Sequence, residues 1–232
     1  MPHHKKDSPN LGRDWQRFFI QELPLHLQPV FDYLSYHWKA SFVDVGGGAG
    51  LVAQVLAPLM VGRGDLHALD SEVAYCEENV TGVRYIHHDA RKAFPSQYDI
   101  CFARSMLHYN TPKDQALIIK NMAETARKMV VLVQPVPFSE DQDKINQFYQ
   151  EIAVVKKIST KHFCTETQIT EYLGAAGLKI NSSKLKLNTY GLQEFYQQRY
   201  SLSDDQIKKL RISLQGKDRI SLPTLMIATR PE

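Results

Sequence analysis

Short apolar runs alternate with longer amphipathic segments between residues 40 and 133 of this chain. The apolar runs predict five strands, and the segments between them predict helices, of which 113–128 is the clearest. Strands that alternate with helices favour parallel pairing in a doubly wound α/β sheet. Such a sheet brings the carboxyl ends of its strands to one edge, where ligands bind. The predicted strands are 42–45, 66–69, 84–87, 99–102 and 129–133.

Beyond residue 134 the regular alternation gives way to a mixed order of elements. Residues 141–157 predict a charged helix with one apolar face. Thr165 is expected to cap the next helix, and Gly177 is expected to end it in the left-handed conformation. Residues 178–187 and 220–229 predict two final strands. The segments 192–200 and 203–214 predict a helical pair inserted between those strands.

The N-terminal segment is polar over residues 1–12 and then becomes aromatic. Residues 14–20 and 29–34 predict two helices, which Pro24 and Pro29 are expected to separate. We interpret the aromatic side chains as packing against the sheet edge, and a lid over a ligand is the alternative. These side chains are Trp15, Phe18, Phe19, Tyr33 and Trp38.

The most specific motif is Asp-Val-Gly-Gly-Gly-Ala-Gly at residues 44–50, between the first strand and a helix at 51–59. Glycines let the backbone turn sharply and approach a ligand closely. The first N–H groups of the helix face the same loop. Asp70 follows the second strand, about twenty residues on, where an acid can accept hydrogen bonds from a ribose. Together these features predict a nucleoside ligand.

The spacing of the motif distinguishes between nucleoside cofactors. A dinucleotide fingerprint needs glycine or alanine where this chain has Leu51. The acid followed by three alternating glycines instead resembles motif I of the class I S-adenosylmethionine-dependent methyltransferases. The resemblance covers about residues 39–190 and 218–230. It implies an α/β, Rossmann-like, seven-stranded doubly wound sheet, mostly parallel with an antiparallel last strand and helices on both faces. A nicotinamide oxidoreductase and a glycine turn without a ligand are less favoured alternatives.

The resemblance implies S-adenosylmethionine as the cofactor and S-adenosylhomocysteine as its product. Gly46, Gly48 and Gly50 would line the methionine and ribose part of the cofactor. Asp70 would hold the ribose hydroxyls. Asp44, at the end of a buried strand, is expected to organise loop N–H groups or the cofactor's ammonium rather than to act as a catalyst.

Further cofactor contacts are expected after the third and fourth strands. Asp89, with Ala90, stands where the family places a polar contact to the adenine amine, and a helix cap or turn is the alternative role of Asp89. Residues 104–106, which include Arg104 and Ser105, would supply backbone contacts beneath the methionine end.

The segment Arg-Ser-Met-Leu-His-Tyr at 104–109 resembles a segment of small-molecule methyltransferases that often reads Leu-His-Asp, with Tyr109 in place of the Asp. His108 could accept the proton that an acceptor hydroxyl or ammonium loses, and a structural histidine is an equally favoured alternative. His162 is the second candidate for this catalytic role. No spacing of histidines and carboxylates predicts a metal site.

The predicted domain organisation is an N-terminal helical segment or lid at 1–38 and a methyltransferase domain at 39–232. Within the domain, 135–177 would cover the acceptor side and 191–217 would form the helical insertion. Three lysines near the cover could attract an anionic acceptor, although a solvated helix face is the favoured interpretation. They are Lys156, Lys157 and Lys161.

Net charge and cysteine content bear on the class of partner and on the cellular compartment. The 232 residues carry a formal net charge of +3, with basic and acidic side chains intermixed, which argues weakly against a nucleic-acid binder. Three widely spaced cysteines, without a signal peptide or a membrane span, favour a cytoplasmic protein with reduced thiols. A homodimer is compatible with the sequence.

We therefore predict methyl transfer to a small-molecule acceptor, with oxygen preferred over nitrogen. The Asn/Asp-Pro-Pro-Tyr run of adenine and glutamine methylases does not follow the fourth strand. An RNA or protein methyltransferase and a catalytically silent cofactor-binding partner subunit remain as alternatives.

Overall fold

The computed structural model describes residues 22–48, 50–60, 62–72, 81–137, 139–156, 159–184, 203–206, 208 and 221–231. Its strands are β1 (Phe42–Val45), β2 (Leu66–Asp70), β3 (Arg84–His87), β4 (Tyr98–Arg104), β5 (Ala126–Pro137), β6 (Lys179–Lys184) and β7 (Ser221–Thr229). They form one sheet in the order β3-β2-β1-β4-β5-β7-β6. Strands β1 to β5 pair in parallel, and β7 runs antiparallel to both of its neighbours. The predicted Rossmann-like sheet with an antiparallel last strand is confirmed.

The helices are α1 (Leu23–Tyr36), α2 (Leu51–Met60), α3 (Pro112–Thr125), α4 (Gln142–Lys156) and α5 (Glu166–Ala175). Their ends follow from local side-chain chemistry. Thr111 caps α3 by accepting a hydrogen bond from the Asp114 N–H. Thr165 and Gln168 form a reciprocal capping box at the start of α5. Gly177, with φ +79°, follows α5 in the left-handed conformation. The cap at Thr165 and the glycine end of α5 are confirmed as predicted.

The two faces of the sheet bury separate apolar clusters, because successive side chains of a strand point to opposite faces. On one face, Val43 and Cys101 pack with side chains of α3 and α5. On the other face, Phe42 and Phe102 pack with α1 and α2, their ring centres 5.9 Å apart. Burying one large apolar side chain stabilises the fold by about 1.5–3 kcal/mol. Strand alternation places Asp44 on the α1 face, two residues after Phe42.

Helix α1 differs from the predicted pair of segments, because Pro29 lies inside one continuous helix. Pro24 stands in the first turn, where an N–H group has no partner within the helix. Pro29 costs about 3 kcal/mol in a helix interior. The burial of Leu23, Leu27 and Val30, each fully buried, offsets that cost.

Strand β5 is longer than predicted at both ends. It begins at Ala126, directly after α3, although the helix was expected to continue to residue 128. The pairing of Ala126 with Tyr98 of β4 starts the strand there. At its other end β5 continues to Pro137, because its antiparallel pairing with β7 extends that far.

Some predicted elements lie wholly or partly outside the residues that the structure describes. The helix at 14–20 and the segment 192–200 lie outside the described residues, as does most of the helix expected at 203–214. At its predicted start, the Gln206 N–H donates to Ser203 Oγ and the Ser203 N–H donates to Gln206 Oε1. Within the described ranges, no helix combines the length and apolar character needed to cross a membrane.

Candidate functional site

The glycine loop between β1 and α2 has the backbone conformation that the sequence predicts. Gly46, Gly48 and Gly50 have φ values of +69°, +52° and +75°, which residues other than glycine rarely adopt. The N–H groups of Gly46 and Gly47 both donate to the Leu69 carbonyl, at 2.8 and 3.1 Å. The loop is therefore fixed to the end of β2.

The surroundings of the three glycines differ. A Cβ at Gly46 would lie 2.8 Å from the Met106 Cβ, and a Cβ at Gly50 would overlap the Tyr85 hydroxyl. At Gly48 such an atom would meet no described residue within 4 Å. Gly46 and Gly50 therefore allow close packing of the protein, whereas Gly48 presents its backbone to open space. Sequence reasoning missed Tyr85, because no local motif marks it.

Asp70, at the end of β2, links the loop to the strand. Its Oδ2 accepts a hydrogen bond from the Gly48 N–H at 2.9 Å, and its Oδ1 accepts one from the Glu72 N–H at 2.9 Å. Burial raises the pKa of the carboxyl, and the backbone hydrogen bonds act in the opposite direction. A carboxylate offers about four lone-pair sites, so it can hold the loop and also accept from a ligand hydroxyl.

A group of ionisable side chains lies under α1, beside the loop. Asp44 is 3% exposed, and burial raises its pKa to about 7. Burial also raises the pKa of Glu22, and the charge of Arg104 acts against the shift in both acids. Burial is the main reason that the pKa of His26 falls to about 4. Sequence reasoning missed Glu22 and His26, since Arg104, which influences the pKa of each, lies about eighty residues further along the chain.

The turn after β4 is strained and firmly held. Ser105 has φ +51° and is the non-glycine residue with positive φ in the described part of the chain. Its N–H donates to the Val133 carbonyl at 2.8 Å. The buried amide of Gln134 accepts from the Leu107 N–H and donates to the Ala103 carbonyl. Such strain costs about 1–3 kcal/mol and clusters at functional sites.

His108 belongs to an arc of aromatic rings at this turn. Its side chain is buried and stacks on Phe163, with ring centres 4.9 Å apart and planes 9° apart. Tyr109 lies on one side, 4.4 Å from His108 between centres, and Tyr149 stacks on Phe163 at 4.9 Å. We call these four rings the aromatic arc. It joins the turn after β4 to α4 and to the segment 159–165.

The second candidate base, His162, lies beside the first. The His162 N–H donates to the His108 carbonyl at 2.8 Å. The His162 carbonyl accepts from Gln115 Nε2 at 2.7 Å. The structure therefore brings both histidines together through backbone contacts, which hold His162 without using its ring.

Lys161 is not on a solvated helix face, so the favoured interpretation of this lysine was wrong. The side chain is 3% exposed. Its ammonium lies 4.7 Å from the ring centre of Tyr109 and 5.0 Å from that of Tyr149. The two tyrosines at the ends of the aromatic arc thus contact one cation. Lys157 and the side chain of Lys156 lie outside the described part of the chain.

Asp89 forms a turn beside the loop. Its carboxylate accepts hydrogen bonds from Arg91, from the backbone N–H at 3.0 Å and from Nη2 at 2.7 Å. The Arg91 contact lowers the pKa of Asp89 to about 2. The adjacent His88 N–H donates to the Asp70 carbonyl at 2.8 Å, which brings the turn close to Asp70. The Ala90 carbonyl accepts from Asn121, and the adenine contact of Asp89 and Ala90 stays a prediction.

Among the described residues, no three or more histidine, cysteine, aspartate or glutamate side chains are grouped so that they could hold a metal ion. The groups that the site offers to a ligand are those of the glycine loop, the acids around it and the aromatic arc.

The chain matches no protein-family model and has no significant match among curated protein sequences. Solved structures are similar to it. The YcgJ protein from Bacillus subtilis has a TM-score of 0.63 at 16% identity, over 84% of this chain and 93% of that chain. Magnesium protoporphyrin IX methyltransferase from Synechocystis PCC 6803, with bound S-adenosylhomocysteine, has a TM-score of 0.59 at 14% identity, over 95% and 94%.

An O-methyltransferase family protein from Burkholderia thailandensis has a TM-score of 0.58 at 12% identity, and the match covers 94% of this chain and 59% of that chain. At such identities the similarity concerns architecture. The glycine loop, the strand order and these neighbours agree with one another. The chain therefore has the fold of the S-adenosylmethionine-dependent methyltransferases.

Proposed function

We propose that this protein transfers a methyl group from S-adenosylmethionine to a small-molecule acceptor, with oxygen preferred over nitrogen as the accepting atom. The observation that carries the proposal is the loop at Gly48, which faces open space while Asp70 binds its N–H at 2.9 Å. Solved structures of the same fold contain S-adenosylmethionine or S-adenosylhomocysteine, which supports this choice of cofactor.

The residues of the site fit the chemical groups of this cofactor. Asp70, whose carboxylate already binds the loop at Gly48, would accept hydrogen bonds from the ribose hydroxyls. Asp44 is an acid whose ionised form would pair with the amino-acid ammonium. Gly48 leaves space where a Cβ would otherwise project. When bound, S-adenosylmethionine supplies an electrophilic methyl group on a sulfonium.

The side chains of this protein would position the acceptor, exclude water and accept its proton. His108 is the proposed proton acceptor, because it is the buried imidazole at the turn after β4. The aromatic arc supports a small organic acceptor, since its rings offer apolar surface next to that turn. One neighbour with this fold is a magnesium protoporphyrin IX methyltransferase, which also favours a small-molecule acceptor.

The decisive experiment is transfer of labelled methyl from S-adenosylmethionine into cell extract, split into small-molecule and macromolecular fractions. Label in the small-molecule fraction is the expected result. Label on RNA or protein alone would contradict the small-molecule acceptor. A protein that binds cofactor but labels neither fraction would instead fit a catalytically silent subunit.

Cofactor affinity is predicted to depend on the ionisation of Asp44. Its pKa of about 7 lies above the ordinary 3.8, so the pairing of Asp44 with an ammonium strengthens as pH rises through 7. Between pH 6 and pH 8 we expect affinity for S-adenosylhomocysteine to rise about tenfold in calorimetry. Asp44→Asn should weaken binding and remove this rise. An equal rise in the variant would assign the pH dependence to another group.

The raised pKa of Asp44 also predicts that the stability of the unliganded fold decreases as pH rises, whereas cofactor affinity increases. Because the folded-state pKa of Asp44 is raised, the unliganded fold loses stability as pH rises from about 4 to 7. Asp44→Asn should therefore be more resistant to denaturant than the wild type at pH 8, and the difference should shrink toward pH 4.

His108→Phe should preserve cofactor binding and lower turnover by about 10²–10⁴-fold, as expected for loss of a general base. Phenylalanine keeps the stack on Phe163, so the change removes the proton acceptor rather than the ring. His88→Phe is the matched control, because His88 also contacts a phenylalanine ring, Phe94, at 5.5 Å. Unchanged turnover in His108→Phe would return His108 to a structural role and leave His162 as the candidate base.

A further inference from the structure

The carboxylate of Asp89 is occupied by a single neighbouring residue. Its Oδ1 accepts hydrogen bonds from the Arg91 backbone N–H at 3.0 Å and from Arg91 Nε at 2.9 Å. Its Oδ2 accepts from Nη2 at 2.7 Å and from the same Nε at 3.1 Å. A carboxylate offers about four lone-pair sites, so these four contacts use all of them. Another donor can bind Asp89 only by displacing part of Arg91.

The Asp89–Arg91 pair lies one strand beyond the glycine loop and Asp70. Strands β3, β2 and β1 are parallel neighbours, so their carboxyl ends meet at one edge of the sheet, about 4.8 Å apart. The His88 N–H donates to the Asp70 carbonyl at 2.8 Å, which ties the turn to the proposed ribose position. A ribose carries its base and its amino-acid chain on opposite sides. With that chain over the loop after β1, the base extends from Asp70 toward the turn after β3.

Burial does not keep a ligand from this carboxylate. The side chains of Asp89 and Arg91 are 27% and 37% exposed. The hydrogen bonds from Arg91 lower the pKa of Asp89 to about 2, so at neutral pH the carboxylate only accepts hydrogen bonds. On the outer edge of adenine, the 6-amino group is the donor and N7 is an acceptor. Whether Asp89 reads that amine is therefore decided by its occupation by Arg91.

We propose that Arg91 is a specificity-determining residue, which keeps Asp89 from reading the 6-amino group of the cofactor's base. The inference rests on the proposed function and concerns the selectivity of the same cofactor site. The protein then selects its cofactor at the ribose and the amino-acid end, and it binds a purine with or without the amine alike. The predicted adenine contact of Asp89 and Ala90 is thereby limited to the backbone of their turn.

Exchange of the Arg91 fork for an amine offers the complex no gain. The fork joins two opposite charges through more than one hydrogen bond, whereas adenine offers a neutral donor. Removing the guanidinium while keeping Asp89 should therefore create amine recognition that the wild type lacks. Such a gain distinguishes this role from a structural one, because loss of a structural contact weakens binding.

The test compares S-adenosylhomocysteine with its 6-deamino analogue, in which hydrogen replaces the amine of the base. In calorimetry the wild type should bind the two within about threefold of each other. Arg91→Met keeps a long side chain and removes the guanidinium. It should bind S-adenosylhomocysteine about tenfold more tightly than the wild type does, a gain of about 1.4 kcal/mol. Its affinity for the deamino analogue should equal that of the wild type.

Arg127→Met is the matched control. Arg127 also pairs with an aspartate, Asp99, at 3.6 Å, but both residues stand near the start of their strands, at the opposite edge of the sheet. The control should leave both affinities unchanged. Adding Asp89→Ala to Arg91→Met should abolish the gain, which would assign the gain to the carboxylate. A thermal melt of each variant checks that it is folded.

Two results would overturn the inference. A wild type that prefers S-adenosylhomocysteine to the deamino analogue by about tenfold or more reads the amine despite Arg91. An Arg91→Met variant whose affinity for S-adenosylhomocysteine is unchanged or reduced shows that Arg91 does not withhold Asp89. Both results leave the proposed function standing, because the wild type still binds the cofactor product. Absence of binding of either ligand by the wild type would contradict the proposed cofactor, and this inference with it.

Discussion

Gly48→Ala is expected to abolish measurable cofactor binding. The variant should be about as stable as the control variant Gly62→Ala. Gly48 has φ +52°, so alanine would be strained by about 1–2 kcal/mol. Its new Cβ would meet no atom of the described residues within 4 Å and would project into the space proposed for the cofactor. The steric conflict therefore arises only when the ligand binds.

Gly62→Ala is the control for this change. Gly62 has φ +68°, and a Cβ added there would also meet none of the residues that the structure describes within 4 Å, but it lies in the turn after α2. Both variants should lose the same small amount of stability in denaturant unfolding. Calorimetry with S-adenosylhomocysteine should then show a loss of about 100-fold or more in Gly48→Ala alone. Equal affinities in the two variants would show that the ligand does not approach Gly48.

Asp70→Ala is expected to weaken cofactor binding by about 100-fold, the largest effect on binding predicted for one side chain of the site. Removing the carboxylate takes an acceptor from the Gly48 N–H and from the ribose hydroxyls at once. Each unpaired donor costs about 1–3 kcal/mol, and 1.4 kcal/mol corresponds to about tenfold in affinity. Asp65→Ala is the control, because Asp65 is an exposed acid directly before the start of the same strand.

The Asp70 variant should remain folded, since Gly46 and Gly47 still bind the Leu69 carbonyl. A circular-dichroism melt checks this before the calorimetry. If Asp70→Ala binds S-adenosylhomocysteine as the wild type does, Asp70 holds only the loop, and the ribose contact lies elsewhere.

The sequence predicted those parts of the site that depend on local chemistry. The sharp turn that the three glycines of the motif predict is present as positive φ at Gly46, Gly48 and Gly50. The capping box at Thr165 depends on residues three apart. The parallel pairing of β1 to β5 followed from their alternation with helices and from the handedness of the crossovers.

Contacts between distant segments were not predictable in this way. Nothing near Glu22 or His26 in the sequence indicates that Arg104 of β4 would influence their protonation. Lys161 looks like a surface cation in the sequence, and only the packing of two tyrosines around it shows that it is buried. The helix at Pro29 continues because tertiary burial outweighs local propensity.

The central claim is that the loop and Asp70 form a site for S-adenosylmethionine. Titration of the wild-type protein with S-adenosylhomocysteine and, separately, with NAD tests it most directly. We predict one S-adenosylhomocysteine bound per chain with micromolar affinity or better, and no comparable binding of NAD. Absence of S-adenosylhomocysteine binding, or a preference for NAD, would contradict the account.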